Sequence, residues 1–73
     1  MKVIIGQSAY EMTAKQLNEV LKVASKHVSF GIYAVKKGRI CELHNDEFDS
    51  KEDLLAEVEK YAEKGFKVYY NGI

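Results

Sequence analysis

The chain has 73 residues, of which 47% are apolar and 30% are charged, a composition typical of a folded globular domain rather than a disordered segment. It contains no Pro and only five Gly, which excludes collagen-like and Pro-rich architectures. A single Cys cannot form an internal disulfide, which favours a reducing compartment. We therefore expect one small domain over residues 1–73.

The first residues carry too short an apolar run for a signal peptide, and no stretch approaches the roughly 20 apolar residues of a membrane span. We therefore expect a cytoplasmic protein that makes no contact with a membrane. Small, single-domain chains with few Cys are common among accessory proteins of phages and mobile elements, which often act by binding a host protein.

The formal net charge is zero, but the charges are unevenly distributed. Residues 1–40 carry seven bases and two acids, a net of +5, whereas residues 41–73 carry four bases and nine acids, a net of −5. Such asymmetry either marks a binding surface or is cancelled when folding brings the two halves together.

A short apolar strand is predicted at residues 2–6, followed by the first helix. Thr13 and Gln16 have the spacing of a capping box, and Met12 with Leu17 completes a hydrophobic staple. The first helix is therefore predicted to begin at Ala14. Apolar residues with the 3-4 spacing of one buried helix face follow: Leu17, Val20, Leu21, Ala24 and Val28.

A β-hairpin is predicted next, with Lys37 and Gly38 as its two-residue loop. In that register Val35 pairs with Ile40, and alternate residues divide between the two faces. The face predicted to pack against the helices contains Phe30, Ile32, Ala34, Cys41 and Leu43. The opposite face contains Tyr33, Val35, Ile40, Glu42 and His44.

The second helix is predicted over residues 51–64, with Ser50 as its N-cap and acidic residues in its first turn. Gly65 follows as the C′ residue, and Phe66 is placed to fold back onto Tyr61, as in a Schellman motif. A last strand is predicted at residues 66–71, where apolar and polar residues alternate in part.

The predicted order β-α-β-β-α-β resembles the ferredoxin-like fold, a two-layer α+β sandwich. This resemblance implies a four-stranded antiparallel sheet with both helices on one face. If the first strand stays unpaired, the alternative is an α-β-β-α-β chain with a three-stranded sheet. The resemblance concerns topology alone and carries no functional motif.

The outer face of such a sheet would be covered by nothing from the same chain, and it is the main candidate for a functional surface. Two aromatic and three aliphatic residues are predicted there: Ile4, Tyr33, Val35, Ile40 and Tyr69. They predict an interface with another protein or with a second copy in a homodimer. The alternative interpretation is ordinary β-propensity on a partly covered sheet.

Single-stranded nucleic acid is the second candidate ligand, with Tyr33 and Tyr69 as stacking platforms. The sequence pI is 6.7, and few Lys or Arg residues lie near the predicted face, which disfavours phosphate binding. The sequence therefore favours a protein-interaction module over a nucleic-acid-binding domain.

No residue pattern indicates catalysis. Cys41 is predicted to face the core, where burial makes a thiol unreactive, and His44 points to the opposite face of the same strand. Glu42, His44 and Asp46 share one face, but their spacing matches no metal motif. We expect a protein without enzymatic activity, metal or cofactor.

Acidic residues concentrate between the end of the hairpin and the first turn of the second helix: Asp46, Glu47, Asp49, Glu52 and Asp53. With one Lys among them, this segment has a net charge of −4. It predicts either a surface for a basic partner or acids that stabilise the start of a helix.

Overall fold

The computed structural model describes residues 1–73 and contains seven elements. The strands are β1 (Lys2–Ile5), β2 (Ser8–Glu11), β3 (Gly31–Lys37), β4 (Ile40–Glu47) and β5 (Lys67–Asn71), and the helices are α1 (Ala14–Lys26) and α2 (Lys51–Glu63). The strands form one mixed sheet in the order β2-β1-β4-β3-β5. Only the β1–β4 pair is parallel.

Both helices begin where their capping residues predict. Thr13 Oγ1 accepts a hydrogen bond from the Gln16 N–H at 3.2 Å, and Gln16 Oε1 accepts one from the Thr13 N–H at 2.9 Å. Ser50 Oγ accepts from the N–H three residues later at 3.1 Å. Beyond α2 the Phe66 N–H donates to the Tyr61 carbonyl at 3.0 Å, and the two rings meet edge to face. The capping box and the Schellman motif are confirmed.

Strand β2 is the one element that the sequence does not predict. Ile5 pairs with Ser8, so that Gly6 and Gln7 form a two-residue loop. Gly6 has a φ of 64°, as the first residue of a type II′ turn requires. All four residues of β2 are exposed, and no burial pattern marks the segment as a strand.

The central hairpin is shifted by two residues from the predicted register. Lys37 pairs with Ile40, and the loop consists of Gly38 and Arg39. Gly38 has a φ of 60° and therefore takes the first loop position rather than the second. The predicted pairing of Val35 with Ile40 is wrong, but a shift of two residues does not by itself move any side chain to the other face.

A β-bulge at Tyr33 changes the alternation within β3. Ile32 and Ala34 are paired with residues of both β4 and β5, whereas Tyr33 between them has no partner in either ladder. Against β5 the extra residue is Tyr33, whereas against β4 two residues, His44 and Asn45, lie opposite Tyr33. This irregularity places Ile32 on the opposite face from Ala34. The prediction that Ile32 and Ala34 share one face is wrong for this reason.

The two helices lie on opposite faces of the sheet. On one face, α1 packs in a cluster formed by Val3, Leu17, Leu21, Ala34 and Cys41. On the other, α2 packs in a cluster formed by Ile32, Val35 and Leu54. Because the adjacent residues Ala34 and Val35 point to opposite faces, the predicted placement of both helices on one face is wrong.

The handedness of the two crossover connections explains why the helices lie on opposite faces. The strand pairings make β2 parallel to β3 and β4 parallel to β5, so each helix connects two parallel strands. Both connections step in the same direction across the sheet, but they leave from oppositely directed strands. A right-handed crossover, the strongly preferred hand, then places the two helices on opposite faces.

The structure is therefore an α+β fold with two helices and a five-stranded mixed sheet. The ferredoxin-like layout fits only in part, because β5 pairs with β3 at the sheet edge instead of with β1. The three-stranded alternative is wrong, because β1 pairs on both of its sides. Neither helix has the combination of length and hydropathy that crossing a bilayer requires.

Candidate interaction surfaces

The five apolar residues predicted to share an open face are divided between the two faces. Val35 is 1% exposed and lies beneath α2. Tyr33 and Tyr69 are half-buried and pack against the α1 cluster. Ile4 and Ile40 lie on the α2 face, although Ile40 remains 45% exposed. The prediction of one open apolar face is wrong, because the bulge moves Tyr33 and α2 covers Val35.

Each helix covers only part of its own face. Five strands spaced about 4.8 Å apart form a sheet about 20 Å wide, whereas a helix with its side chains is about 10–12 Å across. On the α1 face Leu17 and Leu21 reach the sheet at Val3 and Ala34. Space remains on both flanks of α1, and each flank contains a groove.

The first groove is apolar. It has a volume of about 560 Å³ and lies between α1 and the C-terminal halves of β1 and β4. Its apolar lining consists of Ile5, Val20, Val23, Ala24, Val28 and Leu43, with Glu19, His27, His44 and Asn45 completing it. We call this the apolar groove. Val23 is 56% exposed, and Ile5 is 37% exposed.

The apolar groove continues toward the hairpin formed by β1 and β2. A neighbouring hollow of about 420 Å³ shares Glu19 and Val20 with it and is also lined by Tyr10 and Met12. Tyr10 is 49% exposed. A channel therefore follows one flank of α1 along much of its length, apolar beside Val23 and mixed beside Tyr10, where Glu11 and Gln16 also line it.

The second groove lies on the other flank of α1 and is polar. It has a volume of about 430 Å³ and is lined by Lys15, Asn18, Glu19, Leu21, Lys22, Ser25, Tyr33 and Tyr69. We call this the tyrosine groove. The ring centroids of Tyr33 and Tyr69 are 6.1 Å apart with planes tilted by 45°, and Lys67 Nζ lies 5.2 Å from the Tyr69 centroid.

The two helices separate charge across the sheet. Helix α1 carries three Lys and one Glu, whereas α2 carries two Lys and five acidic residues. The Met1 amino group forms an ion pair with Glu11, and His44 forms a hydrogen bond with Asp46, but no Lys or Arg side chain takes part in an ion pair. The charge asymmetry of the sequence is therefore not cancelled between the helices.

All five acidic residues of the segment from Asp46 to Asp53 are exposed. Some of them interact with residues nearby in the fold. Asp46 Oδ2 lies 2.9 Å from His44 Nδ1, and Glu47 Oε1 accepts from the Ser29 N–H at 3.3 Å. Glu52 and Asp53 occupy the first turn of α2, and Asp49 precedes its N-cap. A role in binding a basic partner stays a prediction.

The thiol and the imidazole of β4 are separated as predicted. Cys41 is fully buried in the α1 cluster, and burial raises the pKa of its thiol. His44 lies against the edge of Tyr61 on the α2 face, with ring centroids 5.8 Å apart. The predicted burial of Cys41 is confirmed. The structure contains no group of three or more His, Cys, Asp or Glu residues arranged to hold a metal.

Sequence reasoning missed both grooves. Val23 lies next to the apolar stripe predicted for α1. With Val23 included, the apolar face of α1 is wider than the contact of one helix with the sheet needs, and this excess is the sequence signal of the apolar groove. The tyrosine groove has no such signal, because it depends on β5 lying beside β3. Comparison with protein-family models, curated proteins and solved structures finds no match for this chain.

Proposed function

We propose that this chain is a small, non-catalytic protein-interaction module that binds an amphipathic helix of a partner protein in the apolar groove. The observation that carries this proposal is the open apolar channel beside α1, lined by Val20, Val23 and Ala24 of the helix and by Ile5 and Leu43 of the sheet. Covering such a surface is favourable by about 25 cal/mol per Å² of apolar area.

The shape of the groove supports a helix as the occupant. The groove has α1 as a wall on one side and the sheet as a floor beneath, and apolar side chains line both. A second helix beside α1 would complete this layer. Its apolar residues would be spaced i, i+3, i+4 and i+7, as in other helix-in-groove complexes.

Charge supports a partner other than a second copy of α1. The charged side chain of α1 that lines the apolar groove is Glu19, whereas Lys15 and Lys22 line the tyrosine groove on the other flank of the helix. Two such helices side by side would bring like charges together, which disfavours a homodimer built on this helix. A partner helix with a basic residue placed against Glu19 would be complementary.

Selection from a displayed library of amphipathic peptides tests this proposal, with the Val23→Glu variant as the counter-selection target. We expect enriched peptides to have the apolar spacing of an amphipathic helix. Their affinity, measured by fluorescence anisotropy, should fall about 10-fold or more in Val23→Glu, because the variant places a charge in the apolar channel.

Leu55→Glu is the matched control. Leu55 is also exposed and apolar, but it lies on α2, away from the groove. Its substitution should leave peptide affinity unchanged, and circular dichroism should show both variants folded. Peptides that bind both variants as well as the wild type would contradict the proposal. So would a wild-type dimer that Val23→Glu converts to a monomer in light scattering, because the occupant would then be a second copy.

A further inference from the structure

A second candidate surface lies on the opposite flank of α1, in the tyrosine groove. Two aromatic rings on neighbouring strands, Tyr33 on β3 and Tyr69 on β5, are half-buried there and 6.1 Å apart. The bulge turns Tyr33 toward the α1 face, where Tyr69 pairs with the following residue of β3. Asn18 and Ser25 of α1 add hydrogen-bonding groups to the same groove.

Positive charge surrounds this pair of rings. Lys15 and Lys22 line the groove from α1, and Lys67 lies over the Tyr69 ring. Lys36 pairs with Lys67 across β3 and β5 and lies on the same face. None of these four lysines is held in an ion pair, and Glu19 is the one acid lining the groove. Their charge is therefore available to a ligand.

Aromatic faces together with unpaired lysines favour one class of anionic ligand. Every nucleobase has a flat face that stacks on tyrosine, and the phosphates between bases are matched by lysine. An acidic peptide would use the lysines but would leave the two rings without a flat partner. A duplex hides its base faces, so only a single strand can use both features.

We propose that the tyrosine groove binds single-stranded nucleic acid without sequence preference, with Tyr33 and Tyr69 as stacking platforms and Lys15, Lys22 and Lys67 as phosphate contacts. This site is separate from the apolar groove and does not depend on the function proposed for it. The pI of 6.7 does not weigh against it, because the acids concentrate on α2 on the opposite face.

The salt dependence of binding follows from the number of lysines. Three or four phosphate contacts to a single strand predict a slope of log K against log salt of about −2 to −3. Affinity should therefore fall about 20- to 50-fold between about 50 and 200 mM salt. A surface with no localised phosphate contacts would show a much smaller slope.

Fluorescence anisotropy with labelled oligonucleotides of about 12 bases, dT and U homopolymers and one mixed sequence, measures this binding. We expect single strands to bind more tightly than a duplex with the same number of phosphates. Tyr33→Leu and Tyr69→Leu should each lower affinity about 5-fold or more, because leucine retains apolar packing but offers no ring for stacking. Lys22→Gln should reduce the salt slope by about 0.7.

Tyr70→Leu is the matched control for the rings. Tyr70 follows Tyr69 on β5 but points to the opposite face, and its substitution should leave oligonucleotide affinity unchanged. Lys60→Gln on α2 is the matched control for the lysine variant, and it should leave the salt slope unchanged. Circular dichroism and thermal melting establish that each variant is folded, and Val23→Glu should retain full oligonucleotide binding.

Four results would overturn the proposal. They are the absence of oligonucleotide binding at low salt, equal affinity for duplex and single strand, and unchanged affinity in both leucine variants while they remain folded. The fourth is equally effective competition by polyglutamate at matched charge, which would assign the tyrosine groove to an acidic protein partner.

Discussion

Paired truncations of Leu21 and Leu54 test whether the two helices have separate cores. Leu21 is 8% exposed and Leu54 is fully buried, in clusters on opposite faces. Leu→Ala at either position should cost about 2–5 kcal/mol. A domain of this size has a free energy of unfolding of about 4–11 kcal/mol, so a double alanine variant would be close to unfolding. Leu→Val, which removes one carbon, should cost about 1 kcal/mol at each position.

In the Leu21→Val, Leu54→Val double variant, we expect the two losses to add within about 0.5 kcal/mol. The sheet separates the two side chains, and neither cluster contains a residue of the other. If both helices shared one core, as the sequence alone predicts, the truncations would couple by about 1 kcal/mol or more. Coupling of that size would refute the assignment of the helices to opposite faces.

Urea unfolding followed by circular dichroism gives the four free energies of this cycle. The m-value should be the same for all four proteins, because no variant changes the area exposed on unfolding appreciably. Leu21→Val combined with Val3→Ala is the positive control, because both residues belong to the α1 cluster and should couple. If the control pair does not couple, the cycle lacks the sensitivity to separate the two arrangements.

A thiol reagent should label Cys41 slowly in the folded protein and quickly in urea, because the side chain is buried and burial raises the pKa of the thiol. Rapid labelling of the folded protein would place β4 outside the core. Gly31→Ala should destabilise the domain by about 1–3 kcal/mol or more in urea unfolding, because its Cβ would collide with the backbone carbonyl of Asp46. A loss below about 0.5 kcal/mol would show that β3 and β4 are farther apart at this end than the structure has them.

The sequence could predict the helix boundaries because they depend on contacts a few residues apart. The hydrogen bonds of Thr13, Gln16 and Ser50 join residues three positions apart, and the Schellman contact of Phe66 with Tyr61 spans five. Such interactions form whatever the rest of the chain does. The burial of Cys41 was predictable for a similar reason, because strand alternation and residue type together indicate it.

The candidate sites were predictable only as residue types. Tyr33 and Tyr69 are suited to a binding surface wherever they lie, and the sequence already shows an excess of bases before residue 40. Their proximity to the lysines of α1 required the bulge in β3 and the pairing of β5 with β3. Neither feature has a sequence signature, because a bulge adds one ordinary residue and an edge strand pairs equally well with other edges.

Local sequence therefore determined which segments are helices, where each one begins and ends, and which of their residues are apolar. Tertiary structure alone decided that β5 pairs with β3, and this choice settled the rest. Because of this pairing, the connection through α2 steps across the sheet in the same direction as the connection through α1, but it starts from a strand that runs the opposite way. The preference for right-handed crossovers then placed the two helices on opposite faces. Long-range pairing is set by the total burial of all elements together, and no short segment of the chain carries that information.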